Sequence, residues 1–282
     1  CGDFERLWMT TSLCGMAAGV LTVQVSTEGV HSGMGSGIIP SSFRIARQLL
    51  DRIEDSKTGE ILVPSLYVEI PKDQLDYAKA TVEILGEEIV QAYPFVDGCK
   101  PISDNVLELY LNRSWRPTLS YTGIGDIPSL QAAGNVLRPK TSFNLSFRLP
   151  PTASATDVAA DLKKALEENP PYGAKVTFEC NKFAKGFYCP PFESWLSQTF
   201  NESSQALWSK DAAFESCGGS IPFLNILQEM FPSIQFCVAG ILGPHTNAHG
   251  PNEFLHVEYT QNLMAAVAGI FAAHYQAKAG KQ

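Results

Sequence analysis

Several stretches in the first two thirds of the chain alternate between apolar and polar side chains. Residues 18–26 read AGVLTVQVS, and residues 141–149 alternate Phe or Leu with Ser, Asn or Arg. Because successive side chains of a strand point to opposite faces, both stretches predict half-buried β-strands. Residues 174–180 predict a third strand, and residues 106–122 are strand-like with an interruption at Pro117.

Apolar residues at helical spacing lie between these strands. Residues 41–53 read SSFRIARQLLDRI, a serine cap followed by an aliphatic stripe, which predicts a helix. Residues 73–92 predict a second helix, and the capping-box-like start at 154–157 predicts a third. The resulting order β-α-α-β-β-α-β predicts an α+β unit, with helices on one face of an antiparallel sheet.

The pattern changes after Lys185. Residues 190–208, 221–231 and 259–277 predict helices, and the nearly continuous apolar run 233–242 predicts a strand buried on both faces. This last part therefore has α/β character. One strong strand cannot complete an α/β domain, so we expect its partner elements to lie upstream of Cys1.

Composition narrows the class of protein. The 282 residues carry a net charge of −8 and no basic run, which argues against a nucleic-acid partner. The most apolar stretch, Leu263–Ala273, fits a buried helix, so no membrane span is expected. Seven scattered cysteines form no CxxC pair, and the start CGDFERLW lacks the features of a signal peptide. We expect a cytoplasmic protein.

Two histidines follow the predicted buried strand. His245 and His249 lie in the loop GPHTNAHGPNE, and ligands of open α/β sheets gather at the carboxyl ends of strands. Neutral imidazole is a common metal ligand, although a loop histidine can also hydrogen-bond the backbone. His31 begins the glycine-rich segment HSGMGSG, which allows close approach to a ligand but is equally compatible with a plain turn.

Two further features could hold an anion. Arg148 lies on the polar face of its predicted strand, where a guanidinium can bind a carboxylate with two hydrogen bonds or form a surface ion pair. Gly218, Gly219 and Ser220 precede a predicted helix, so their N–H groups could bind an anion or simply form a turn. A hydrolytic metal site also needs carboxylates, and we find no H-x-D pair and no suitable Glu-Glu pair.

Several sequence blocks together resemble the metallopeptidase family of carnosinases, Cys-Gly dipeptidases, acetylornithine deacetylases and succinyl-diaminopimelate desuccinylases. The blocks are LWMTTSLCGMAAG (7–19), VHSGMGSGIIPSSFR (30–44), NRSWRP (112–117), GNVLRPKTSFNLSFRLPP (134–151), and ESCGGSIPFL (215–224) with GPHTNAHGPNEFL (243–255). They span nearly the whole chain in the family's order, and NRSWRP with HSG is typical of the dipeptidase branch.

The resemblance implies roles for individual residues. His249 is similar to the C-terminal zinc ligand, and His31 to the lid histidine that polarises the scissile carbonyl in the other subunit's active site. Asn135 falls where the desuccinylase branch has an oxyanion-binding Asn, and Arg148 resembles the clamp for the substrate carboxylate. Gly219 and Ser220 resemble part of the wall that holds the substrate's C-terminal end.

Two residues of these blocks stand apart from the family pattern. Cys14 is a departure, since relatives usually carry Arg there. His245 has no role that the resemblance supplies.

The resemblance also implies the domain organisation. The family fold is an α/β zinc-binding catalytic domain with an inserted α+β lid domain that forms a homodimer. On this chain, residues 1–11 would be a remnant of the catalytic domain, 12–184 the lid and 185–282 the C-terminal part of the catalytic domain. The remaining metal ligands and the general-base Glu would lie upstream of the matched region.

The function implied is metal-dependent hydrolysis of dipeptides or short peptides that have a free C-terminal carboxylate. The family uses two Zn²⁺ ions, or Mn²⁺ or Co²⁺, and we expect the metal site within this chain to be incomplete or absent. Two alternatives stay open. One is an N-acyl-amino-acid deacylase of the acetylornithine or succinyl-diaminopimelate type, and the other is a non-catalytic lid or dimerisation fragment.

Overall fold

The computed structural model describes residues 1–279, which form strands and helices in two packed groups. The strands are β1 (Trp8–Leu13), β2 (Gly15–Gln24), β3 (Val30–His31), β4 (Thr118–Gly125), β5 (Val136–Leu137), β6 (Lys140–Leu149), β7 (Lys175–Ala184), β8 (Phe187–Tyr188) and β9 (Ala213–Cys217). The helices are α1 (Ser32–Gly35), α2 (Ser42–Leu50), α3 (Lys72–Leu85), α4 (Glu88–Gln91), α5 (Val106–Ser114), α6 (Ala155–Glu167), α7 (Ser194–Trp208), α8 (Pro222–Met230) and α9 (Val257–Ala279). Among these helices of residues 1–279, none combines the length and apolar character needed to cross a bilayer.

The first group is a four-stranded antiparallel sheet in the order β4-β6-β2-β7. Its central strands β2 and β6 pair over ten residues, from Gly15 opposite Leu149 to Gln24 opposite Lys140. Helices α2 and α6 pack against this sheet, and alternate side chains of the strands form one core with them. The prediction of an antiparallel sheet covered by helices is confirmed for this part.

The second group is a three-stranded sheet in the order β8-β1-β9, in which β9 runs parallel to β1. The long helices α7 and α9 pack against each other and share a core with Leu7 and Met9. Helices α3 and α5 contact β9 rather than the four-stranded sheet. The indole N–H of Trp115, just after α5, donates to Ser216 Oγ at 3.2 Å and fixes α5 to β9.

The predicted strand over residues 106–122 is wrong for its first half, which is helix α5. Asn105 caps this helix, since its side-chain oxygen accepts from the N–H groups of Leu107 and Glu108 at 3.0 and 3.2 Å. The buried Tyr110 and Leu111 lie on the face that packs into the α3–α5 cluster. Residues 106–114 also satisfy helical spacing, and tertiary burial of that face decided between the two periods.

The predicted buried strand over residues 233–242 is also wrong. This segment has no regular strand pairing, and Phe236 is its one fully buried side chain. A single hydrogen bond, from the Thr10 N–H to the Val238 carbonyl at 2.8 Å, ties it to β1. The position parallel to β1 belongs instead to β9, whose short sequence AFESC has no strong strand pattern.

One predicted helix is divided in two. The helix predicted over residues 73–92 becomes α3 and α4 because Gly86, at a φ of 51°, ends α3 in a conformation that glycine adopts without strain. The remaining predicted helices are confirmed as α2, α6, α7, α8 and α9.

Candidate functional site

Arg148 and Ser220 meet where the two groups of elements join. Arg148 lies near the end of β6, between Met16 of β2 and Thr118 of β4. One of its terminal nitrogens donates to Ser220 Oγ at 3.2 Å. The Ser220 hydroxyl in turn donates its one proton to the Cys14 carbonyl at 2.7 Å. The Ser220 oxygen therefore acts as an acceptor towards Arg148. The site therefore joins β6, the β1–β2 junction and the β9–α8 loop.

The Arg148 guanidinium keeps most of its donors available. It is half-buried, and within residues 1–279 no carboxylate lies within 4 Å of it. The alternative of a surface ion pair is therefore not seen in the described part of the chain. A half-buried guanidinium with one neutral partner can bind a carboxylate through two parallel N–H donors.

The loop before Ser220 is shaped by close packing against α5. A side chain at Gly218 would place its Cβ 2.8 Å from the Arg113 carbonyl oxygen, so glycine is required there. Gly219 has more room, and its N–H donates to Cys217 Sγ at 3.4 Å. Of the two glycines, the resemblance assigned a role to Gly219, whereas packing against α5 constrains Gly218.

His31 ends β3 and Asn135 immediately precedes β5, and these two strands pair in a separate two-stranded sheet. Strands β3 and β5 pair His31 with Val136, and the Ser32 N–H donates to the Asn135 carbonyl at 2.8 Å. The Nδ1 atom of His31 accepts from the Gly33 N–H at 3.1 Å. A neutral imidazole that accepts at Nδ1 carries its proton on Nε2, so the exposed His31 presents an N–H donor to solvent.

His249 lies in the loop after residue 242. Its φ of 62° and that of His245, 61°, are left-handed, and both side chains are exposed. The His249 N–H faces Glu253 Oε2 at 3.4 Å. No group of three or more His, Cys, Asp or Glu side chains with metal-binding geometry occurs among the described residues. One exposed imidazole does not fit a dinuclear zinc centre, which needs several ligands from the protein.

The predicted residues thus lie at three places: Arg148 with Ser220 and the adjacent Gly219, His31 and Asn135 at the paired strands β3 and β5, and His249 in the loop after residue 242. No hydrogen bond within residues 1–279 joins the His31–Asn135 pair, the Arg148–Ser220 pair and His249 to one another. Two residues next to the Arg148–Ser220 pair had no predicted role. The Cys14 carbonyl accepts from Ser220, and Arg113 packs on Gly218. Both lie within the sequence blocks of the resemblance, and their tertiary neighbours alone reveal their place.

Comparison with known proteins identifies the fold. Residues 11–174 match the family model of the peptidase dimerisation domain, which is more than half of the chain. The chain belongs to the M20 peptidase family. In sequence, this M20 chain is 24% identical over 267 residues to the cysteinylglycine-S-conjugate dipeptidase of Corynebacterium striatum. That match covers 92% of the chain and 55% of the relative.

Solved structures of dipeptidases share the fold. The di-peptidase Dug1p from Saccharomyces cerevisiae superposes with a TM-score of 0.76 at 19% identity, covering 96% of this chain and 57% of Dug1p. Human carnosine dipeptidase 1 superposes with a TM-score of 0.73 at 17% identity, covering 98% and 58%. The M20 chain therefore spans less than three fifths of the length of these relatives. The predicted family resemblance is confirmed.

Proposed function

We propose that this M20 chain is the substrate-binding and dimerising part of a metal-dependent dipeptidase. Its substrates would be dipeptides or short peptides with a free C-terminal carboxylate. The observation that carries the proposal is the Arg148 guanidinium, which is half-buried, oriented by Ser220 and without an acidic partner among residues 1–279. The three relatives of the comparison are dipeptidases by name, which supports the same substrate class.

Arg148 would bind the C-terminal carboxylate of the substrate. Charge-assisted, bidentate hydrogen bonds fix the plane of a carboxylate as well as its position. Ser220 holds the guanidinium from one side, and the Cys14 carbonyl holds Ser220. These contacts orient the guanidinium. The scissile bond of a dipeptide lies one residue from the carboxylate that Arg148 would bind.

His31 and Asn135 would donate to the oxygen of the scissile carbonyl. The Nε2–H of His31 follows from its Nδ1 contact with Gly33, and Asn135 is exposed beside it. A positioned donor of this kind typically contributes ~3 kcal/mol to stabilisation of an oxyanion. No contact joins this pair to Arg148 within residues 1–279, so we propose that the pair acts on the substrate held by the other subunit.

The metal would be held largely by residues outside this chain. We propose His249 as one ligand, and the described residues supply no cluster that completes a site around it. A metal would supply a nucleophilic hydroxide at neutral pH. We therefore expect hydrolysis by the complete enzyme and not by residues 1–282 alone.

The dimer would form through the edge of the four-stranded sheet. Of its two edge strands, β7 carries Lys175, Glu179 and Lys182, whereas β4, TLSYTGIG, carries no charge. Charged side chains discourage pairing at a sheet edge, so β4 is the edge open to a partner.

All seven cysteines, which lie in the described part, are free, and we propose the cytoplasm as the compartment.

Kinetics of the complete enzyme with Arg148→Gln test the clamp. Loss of a charge-assisted pair costs about 1.5–3 kcal/mol, so kcat/KM for a free-acid dipeptide should fall roughly 10- to 100-fold, mainly through KM. Hydrolysis of the same dipeptide as its C-terminal amide should change little. Arg44→Gln, an exposed arginine on α2, is the matched control.

Equal kcat/KM for the free acid in wild type and Arg148→Gln would refute the clamp. Assay of dipeptides beside N-acetyl and N-succinyl amino acids separates a dipeptidase from a deacylase. Preference for the acyl substrates would replace the first proposal with the second.

A further inference from the structure

A cavity of about 300 Å³ lies between α4, α5 and the intervening segment. Its walls are mainly aliphatic and aromatic, with Ile89 and Val90 from α4, Phe95 and Ile102 from the segment, and Leu109 from α5. Volumes of this size are at the lower end of small-molecule sites, and an apolar wall is their usual lining. The cavity thus has the size and character of a site for a compact apolar ligand.

Its charged lining residues are both cations. Lys100 and Arg113 line the cavity, and neither forms an ion pair with another residue of the part that the structure describes. The chain as a whole has a net charge of −8, so a wall with two cations and no acid departs from its average. A ligand for this cavity should carry a negative charge at one end.

Arg113 is an exposed side chain that lies against Tyr110 and Gly218. Its guanidinium carbon lies 5.1 Å from the centre of the Tyr110 ring, and its Cγ and carbonyl pack on Gly218. Tyr110 is buried and bonded to Ser216, since its hydroxyl accepts from the Ser216 N–H at 2.8 Å. A cation that already lies against an aromatic ring loses less side-chain freedom when an anion binds than one without such a contact.

The mouth of the cavity leaves large apolar side chains in water. Ile102 is 76% exposed, and Tyr93 and Phe95 are 50% and 45% exposed. All three line the cavity. An occupant with an apolar body would remove part of this surface from water, which favours binding.

We propose that this cavity binds a small apolar carboxylate, with the apolar body against Ile89, Ile102 and Leu109 and the carboxylate at Arg113. Nothing in the proposed peptidase function requires this site. The size, the apolar lining and the two cations of the cavity favour such a ligand.

The probe for the site is 4-phenylbutyrate, and its neutral counterpart is 4-phenylbutanamide. Titration calorimetry and saturation-transfer NMR on the 282-residue chain measure both affinities. We expect the wild-type chain to bind the carboxylate about tenfold more tightly than the amide. This is the difference in affinity that one charge-assisted hydrogen bond provides. Arg113→Gln should remove this preference and leave binding of the amide unchanged.

Two further variants separate charge from apolar contact. Ile102→Asp should weaken both ligands, because it removes exposed apolar surface that the apolar body of the ligand would cover. Lys100→Gln, at an exposed position, should reduce the preference for the carboxylate even if Arg113→Gln fails to fold. Arg44→Gln on α2 should behave as wild type, and circular dichroism reports folding of each variant.

Three outcomes would overturn the proposal. They are no binding of 4-phenylbutyrate at millimolar concentration, equal wild-type affinity for acid and amide, and a preference that survives both Arg113→Gln and Lys100→Gln. Because no hydrolysis is measured, failure of the dipeptidase proposal leaves these results unaffected. Conversely, loss of ligand binding in Ile102→Asp or of the carboxylate preference in Lys100→Gln should leave the Arg148 kinetics intact.

Discussion

Two consecutive residues of β1 show how different the environment of neighbouring hydroxyls can be. Thr11 and Ser12 are both buried. The Thr11 hydroxyl lies 3.0 Å from Gln74 Oε1 and 3.2 Å from the Glu215 carbonyl, so it has acceptors on two elements. The Ser12 hydroxyl has no hydrogen-bond partner among the described residues. A buried polar group without a partner costs free energy, whereas a bonded one contributes.

We therefore expect opposite effects from two conservative substitutions. Thr11→Val should lower the free energy of unfolding by about 1–2 kcal/mol, because it removes the hydroxyl and keeps the shape. Ser12→Ala should leave it unchanged or raise it by up to about 1 kcal/mol. Urea unfolding followed by circular dichroism measures both. A loss for Ser12→Ala as large as that for Thr11→Val would contradict the unpaired state of Ser12.

The thiol of Cys14 should be unreactive in the folded chain. Burial, with a smaller contribution from the charge of Cys217, raises its pKa to about 12. A raised pKa keeps the thiol protonated, so at pH 8 only about one molecule in 10⁴ carries the thiolate that reacts. Alkylation with iodoacetamide at pH 8, followed by mass spectrometry, should label the exposed Cys99 and Cys217 first.

Cys14 should react at an ordinary rate only after unfolding in urea, and its labelling in the native chain should rise with pH. Native labelling of Cys14 as fast as that of Cys99 would show that its environment is open.

At the scale of elements, β2 depends on a close approach of backbones. A Cβ atom at Gly19 would lie 2.4 Å from the Glu179 carbonyl oxygen and 2.6 Å from the Cys180 Cα. The pairing of β2 with β7 also changes register between Ala18 and Gly19, as in a β-bulge. Both contacts are to backbone, which cannot move aside without breaking the ladder.

Gly19→Ala should accordingly lower the free energy of unfolding by about 2–3 kcal/mol, the cost of forcing extra atoms into a packed interior. Gly125→Ala in β4 is the control, since its Cβ would meet only Ser142 Cβ at 3.6 Å, an ordinary contact. Thermal unfolding of the two variants beside wild type measures the difference. Similar melting temperatures for both would show that β7 can shift away from β2.

At the scale of the whole molecule, the uncharged edge β4 predicts the oligomeric state. Ile124 of β4 is 56% exposed and Phe183 of β7 is 45% exposed, so the two edges can be compared by matched substitutions. We expect wild type to have the mass of two chains by light scattering after size exclusion. Ile124→Lys should give single chains, because a charge at a pairing edge opposes association.

Phe183→Lys should remain a dimer, since β7 already carries charges and is not the proposed interface. Dissociation by Phe183→Lys with an intact Ile124→Lys dimer would assign the interface to the other edge. A monomeric wild type would remove dimerisation from the function proposed for this chain.

Local patterns determined much of this protein by themselves. The alternation of β2 and β6, the capped stripe of α2 and the start of α6 at Ser154 are properties of short segments, and each was predicted. The family was predicted from five sequence blocks, because residues near a substrate are restricted in type whatever surrounds them. The resemblance implied roles for Arg148 and Ser220, and the structure joins the two by a hydrogen bond.

Only the tertiary structure decided the rest, and the reason is that burial depends on neighbours distant in sequence. The apolar residues of 106–114 fit the spacing of a strand and that of a helix, and packing against α3 and β9 selected the helix. The apolar run 233–242 predicted a central strand, but in the described structure it is an irregular segment that bonds to β1 through the Val238 carbonyl and packs Phe236 on Phe187 of β8. The hydrogen bond from Ser220 to the Cys14 carbonyl and the packing of Arg113 on Gly218 each bring together residues more than 100 positions apart, a distance that no local pattern spans.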